Sequence, residues 1–150
     1  MEEIVYRPIG VIRSPLRGED HIPPQPFHAR NVEGTVELLP EYAGGLKDLE
    51  GFSHIILLCH LHLSKGFSLV VKPPSETTAH GVFSTRSPRR PNPIAMSTVR
   101  LIRIDGPTLH IRDIDMVDGT PVLDIKPHIP LAQSDEPIRT GWLARRSNAT

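Results

Sequence analysis

The sequence predicts an all-β fold: a single small β-barrel of about seven strands, with one short helix and long loops. Three observations predict it. Sixteen prolines in 150 residues leave few windows in which a long helix could run. Short runs of apolar or alternating residues recur between turn signals, which suits an antiparallel or mixed barrel better than a doubly wound parallel sheet. No Gly-x-Gly-x-x-Gly turn follows a strand and no Walker-type loop occurs, so the usual dinucleotide and nucleoside-triphosphate sites are unsupported.

The strands are read in order. Val5 to Arg13 reads as the first and Thr35 to Leu39, with polar and apolar residues alternating, as the second. The polar, proline-rich stretch from Ser14 to Asn31 between them exceeds the usual connection length, which marks it as functional or disordered. Leu46 and Leu49 stand at helical spacing among glycines, so Pro40 to Gly51 is expected to form a short helix capping one barrel end. Phe52 to Leu63, the most apolar stretch, reads as a central strand, and Ser68 to Lys72 as another before the Pro73-Pro74 break. Ala79 to Thr85, Ser97 to Ile104, Thr108 to Ile114 and Thr120 to Lys126 complete the set, with turns at Asp105-Gly106-Pro107 and Asp118-Gly119. Residues 1–130 are assigned to the barrel domain and 131–150 to a polar tail that docks on it through Trp142.

Composition narrows the function. The lone Cys59 lies in an apolar run and reads as a buried thiol; no disulfide framework is possible within one chain. No apolar run approaches the roughly 20 residues needed to span a bilayer, and Glu2 and Glu3 replace a basic leader, so the expected compartment is the cytoplasm. With 17 basic and 17 acidic residues, affinity for nucleic acid must come from a local patch. Five arginines and no acid fall between Arg86 and Arg103, whereas five aspartates face only Arg112 between Asp105 and Asp124.

Two segments carry candidate chemistry. In Arg86-Ser87-Pro88-Arg89-Arg90-Pro91-Asn92-Pro93 the prolines forbid a helix and stiffen the loop, which lowers the ordering cost of binding an anion or nucleotide. The competing reading pairs Arg89 and Arg90 with the aspartate-rich segment. In Asp113 to Pro127, Val122, Asp124 and Lys126 stand at alternate positions and are read as one strand face. If that face points inward, Asp124 and Lys126 are desolvated, either as a site or as a structural pair. His60 and His62 permit two metal ligands, but no Cys pair or His-Glu motif supplies a third, so no metal is assigned. Gly-x-Ser-x-Gly is absent as well.

The string Gly81 to Ile94, followed by Asp118 to Pro127, resembles the TsaA-like, or TrmO, family. Ile9 to Pro15, Pro24-Gln25-Pro26 and Leu49 to His54 also match, so the resemblance spans roughly residues 4 to 130. It implies a tRNA methyltransferase that uses S-adenosylmethionine to methylate the exocyclic N6 of threonylcarbamoyl-adenosine beside the anticodon, on one β-barrel, as a homodimer. It places the cofactor at Pro26, Phe27 and His28; at His62 and Leu63; at Arg86; and at Asp115, Met116, Val117 and Asp118. Arg89, Arg90, Asn92 and His128 would meet the anticodon loop, because single-stranded loops are read by stacking and edge contacts. Asp118, Asp124 and Lys126 are the candidate catalytic residues, with Asp118 or Asp124 as proton acceptor. Two positions depart from the family pattern: His128 replaces its usual Tyr and Ala95 its usual Gly. The alternative reading is a non-catalytic RNA-binding barrel.

Overall fold

Period-two burial organises the chain. In a computed structural model, which describes residues 1–18, 30–131 and 135–144, alternate side chains of six strands turn inward. These strands are β1 (Gly10–Arg13), β2 (Glu33–Leu38), β3 (His54–His60), β6 (Ile94–Asp105), β7 (Thr108–Arg112) and β8 (Pro121–Pro127). They close into a barrel in the order β1-β2-β7-β6-β3-β8, with every neighbouring pair antiparallel. Closure leaves the barrel without a free edge. The interior is filled by Ile12, Val36, Ile55, Leu57, Val99, Leu109, Ile111, Ile114 and Val122, nearly all fully buried. Each such aliphatic side chain contributes about 1.5–3 kcal/mol through burial. Gly34 lets β1 and β2 approach: a Cβ there would lie 2.5 Å from the Arg13 carbonyl oxygen.

The remaining strands, β4 (Val70–Val71) and β5 (His80–Gly81), form a separate two-stranded ribbon rather than part of the barrel wall. The expected strand from Ala79 to Thr85 ends at Gly81 and gives way to a 3-10 turn over Val82–Ser84. Local bonds explain the switch. The Ser84 hydroxyl donates to the Gly81 carbonyl, and the Thr85 amide and hydroxyl both donate to the Val82 carbonyl. The first strand is also shorter than expected, because Pro8 has no amide to give and pairing begins with Ile9 donating to Val122. The predicted helix from Pro40 to Gly51 is present as two 3-10 segments, Pro40–Leu46 and Leu49–Gly51; the Gly44-Gly45 pair disfavours a continuous α-helix.

The barrel has two unlike ends. At one, which we call the mouth, β1, β3 and β7 end and β2, β6 and β8 begin. At the other, the 3-10 segments lie over an open cavity of about 570 Å³ lined by Ile9, Leu38, Tyr42, Leu49, Phe52 and Ile125 among others.

Candidate active site

The acidic segment after β7 forms one wall of the mouth. It leaves the strand at Asp113, which adopts a left-handed φ of 70° and accepts a 2.7 Å hydrogen bond from the Asn31 amide. The Ser14 hydroxyl donates to the Met116 carbonyl at 2.7 Å, and the Asp118 amide donates to the Leu16 carbonyl at 2.8 Å. The Asp118 carboxylate, 19% exposed, takes Arg17 at 3.2 Å and Arg13 at 3.8 Å, and accepts the Ser14 amide at 3.2 Å. Asp115 is held from β6 by a hydrogen bond from the Ser97 hydroxyl. Met116 and Val117 bury their side chains, and their carbonyls accept the Ser14 and Thr120 hydroxyls. Gly119, at φ 86°, would place a Cβ 4.0 Å from His62 Nε2, which sets the imidazole beside the acidic segment.

The arginine-proline loop enters the same end. The Leu61 amide donates to Pro93, the Ser64 hydroxyl to Pro88 and the Ser68 amide to Arg89, so the β3–β4 connection braces the loop from outside. Arg90 braces it from within: its Nη1 donates to the carbonyls of Thr85 at 2.9 Å and Ser87 at 3.1 Å. Arg86 and Arg89 are exposed, and neither guanidinium makes an ion pair among the described residues. The stiffness expected from the prolines thus comes also from hydroxyls and one arginine, and the three arginines divide between frame and surface.

One barrel end therefore gathers His62, Leu63 and Asp115 to Asp118 with the roots of the loop bearing Arg86, Arg89 and Asn92. Pro26, Phe27 and His28 lie outside the described residues. Asp124 and Lys126 stand elsewhere, and the single strand face proposed for Val122, Asp124 and Lys126 does not exist. Leu58 faces Asp124 while Cys59 faces Val122, so Leu123 is a bulged residue that reverses the alternation. Val122 and Ile125 turn towards the core, and Asp124 and Lys126 form a 2.9 Å ion pair on the outer wall, 46% and 58% exposed. His128 lies at the far end, its amide bonded to the His54 carbonyl and its ring edge-on to that of His54.

The distribution of these residues over a closed barrel can be set beside known proteins. A family model described as the tRNA-methyltransferase O N-terminal domain matches residues 11–135. The chain belongs to this family. A probable S-adenosyl-L-methionine-binding protein of Pyrococcus abyssi is 51% identical over 142 residues, which cover 95% of this chain and 77% of that protein. The tRNA (adenine(37)-N6)-methyltransferase of Escherichia coli is 40% identical over 144 residues, covering 89% of this chain and 61% of the relative. The crystal structure of TrmO from Pseudomonas aeruginosa superposes with a TM-score of 0.76 at 40% identity, over 95% of this chain and 62% of that one. The chain thus spans about three-fifths of the enzyme and of the solved structure to which it is similar.

In this member of the tRNA-methyltransferase O family, residues with little or no local sequence signal also shape the mouth. Arg13, Ser14 and Arg17 hold the acidic segment, and Ser97 holds Asp115. Only Ser97 left a trace, as a polar residue at an inward position of an alternating strand. Cys59, beneath Asp115, is fully buried; burial first and the Asp115 carboxylate second push its thiol up to about 12. It is a packing residue and not a nucleophile.

Proposed function

We propose that the protein is an S-adenosylmethionine-dependent tRNA methyltransferase acting on the exocyclic N6 of threonylcarbamoyl-adenosine next to the anticodon. The observation that carries this reading is the convergence, at one end of a family barrel, of a braced arginine loop with an acidic segment pinned from three sides. The donor set suits the cofactor. Arg86 offers the cofactor's carboxylate an exposed guanidinium with no ion pair among the described residues, Asp115 a fixed carboxylate for ribose hydroxyls or the amino group, Met116 and Val117 main-chain amides for the adenine edge, and His62 and Leu63 a flank. Pro26, Phe27 and His28 complete that set by family likeness. When bound, the cofactor supplies a methyl group on a sulfonium, and the acceptor nitrogen must surrender a proton. The chain's contribution is chiefly placement. Arg89 and Asn92 face outward to meet the anticodon loop, while Arg90 keeps the loop in shape.

Asp118 already serves two guanidiniums and an amide, so we assign it to holding the mouth and give the proton to Asp124, with Lys126 as its partner. These two residues are on the outer wall, which makes the working unit a homodimer in which Asp124, Lys126 and His128 of a second copy approach the mouth. Exposed Ile94 and Met96 near Asp124, and Phe67, Leu69, Val70 and Phe83 around the ribbon, supply apolar surface for such a contact. A free, buried Cys59 suits the reducing cytoplasm, where we place the enzyme.

Nucleoside mass spectrometry tests the activity: unmethylated tRNA incubated with protein and methyl-labelled cofactor should gain one labelled methyl on the modified adenosine. Salt-sensitive tRNA binding without label would favour the non-catalytic barrel instead. Mixing inactive Arg86→Ala and Asp124→Ala proteins tests the dimer. Random exchange leaves one intact site in half of the dimers, so about a quarter of the wild-type rate should return; no recovery would place both residues in one protomer's site.

A further inference from the structure

We propose that Trp142 is a positioning residue for the cofactor, acting through the turn that carries Arg86. The proposal rests on the cofactor reading of Arg86 above. The side-chain bonds of the turn over Val82–Ser84 are all local, running from the Ser84 and Thr85 hydroxyls back to the Gly81 and Val82 carbonyls. Val82 is buried, but Phe83 projects into solvent and Ser84 is exposed, so hydrophobic burial fixes only the first of the three residues. The last is fixed from a distance. The Trp142 indole N–H donates to the Ser84 carbonyl at 2.9 Å, and the indole lies parallel to the His80 imidazole, with centroids 4.3 Å apart and planes 11° from coplanar. One side chain from the C-terminal segment thus grips both the strand that leads into the turn and the carbonyl at its exit. Two residues later comes Arg86, whose guanidinium has no ion-pair partner of its own among the described residues.

An arginine that must meet a carboxylate bidentately is sensitive to where its backbone sits, because both N–H···O bonds are lost together when the fork tilts. A brace on the Ser84 carbonyl therefore acts on affinity for the cofactor rather than on the chemical step. The indole supplies flat contact with little conformational entropy to lose, as well as a directional donor for the Ser84 carbonyl. This gives the segment around Trp142 a function that neither the barrel nor the ribbon supplies.

Two variants test it. Trp142→Ala removes both grips; Trp142→Phe keeps a ring on His80 and deletes only the N–H. Cofactor Kd by calorimetry, kcat and cofactor KM at saturating tRNA, and the melting midpoint are measured for each. The expected result for Trp142→Ala is a rise of about tenfold in cofactor Kd and KM with kcat held within about twofold, and for Trp142→Phe a rise of about threefold. An unchanged cofactor Kd in Trp142→Ala, or a fall in kcat with KM unmoved, overturns the proposal. Should Trp142→Ala fail to fold, an unchanged Kd in Trp142→Phe overturns it equally. If the wild type takes up no cofactor, the reading of Arg86 falls and this one with it; if the wild type binds and both variants bind as well as it does, only the positioning role falls.

Discussion

The two ends of the barrel are built from the same six strands and spend their polar groups differently. The buried polar side chains among the described residues are Ser14, Thr85, Ser97 and Thr120, and all serve the mouth or the loop that enters it. Each hydroxyl is bonded: Ser14 to Met116, Thr85 to Val82, Ser97 to Asp115 and Thr120 to Val117. At the far end the 3-10 segments bury none of their own residues and have no side-chain caps. A buried hydroxyl costs stability unless it is satisfied, so concentrating such bonds at one end signals selection for shape there rather than for stability alone. The far end closes the core; the mouth is held ready.

This contrast can be broken in graded ways. The largest effect is expected from Arg86→Ala, which should weaken cofactor binding roughly 100-fold, about 3 kcal/mol, with the melting midpoint unmoved, as calorimetric titration and thermal unfolding would record. Ser97→Ala should come next. Leaving the half-buried Asp115 without its donor costs about 1–3 kcal/mol, which should lower the melting midpoint by about 3–8 °C and cofactor affinity about tenfold. Cys59 sharpens the comparison through pH. Its folded thiol titrates near 12 against an ordinary value of 9.0, so its contribution to stability is complete below pH 9 and is lost as pH climbs from 9 towards 12. Denaturant midpoints should fall across that window, and less so in Asp115→Asn, because one cause of the raised value is removed. The smallest effect belongs to the far end: Tyr42→Ala, in the cavity under the 3-10 segments, should change methyl transfer by less than about twofold. A large loss there would mean that the cavity takes part in the reaction.

Much of the frame was legible in the sequence, because a closed barrel writes its pattern locally. Ile55, Leu57 and Cys59 alternate as an inward face must, and Gly119 announces its turn without help from distant residues. What escaped depended on pairing across the chain. The bulge at Leu123 has no composition signal, yet it separates Asp124 and Lys126 from the face expected to carry them with Val122 and leaves them on the outer wall. Arg86, Arg89 and Arg90 look equivalent in a stiff loop; only the carbonyls of Thr85 and Ser87 separate a framing guanidinium from exposed ones. From sequence the ribbon is indistinguishable from barrel wall, because Val70 and Val71 carry the same propensities as a barrel strand, and two residues cannot reveal which edge they join. The grip of Arg13 and Arg17 on Asp118 spans about a hundred residues, a separation at which no local pattern survives.

The most direct test of which end holds the cofactor is a map of backbone amide shifts in isotopically labelled protein as S-adenosylmethionine is added. The account predicts saturable changes at His62 and Leu63, along Thr85 to Arg90 and from Asp115 to Gly119, with residues 41–52 unmoved. Changes gathered around Tyr42, Leu49 and Phe52, with the mouth silent, would contradict it.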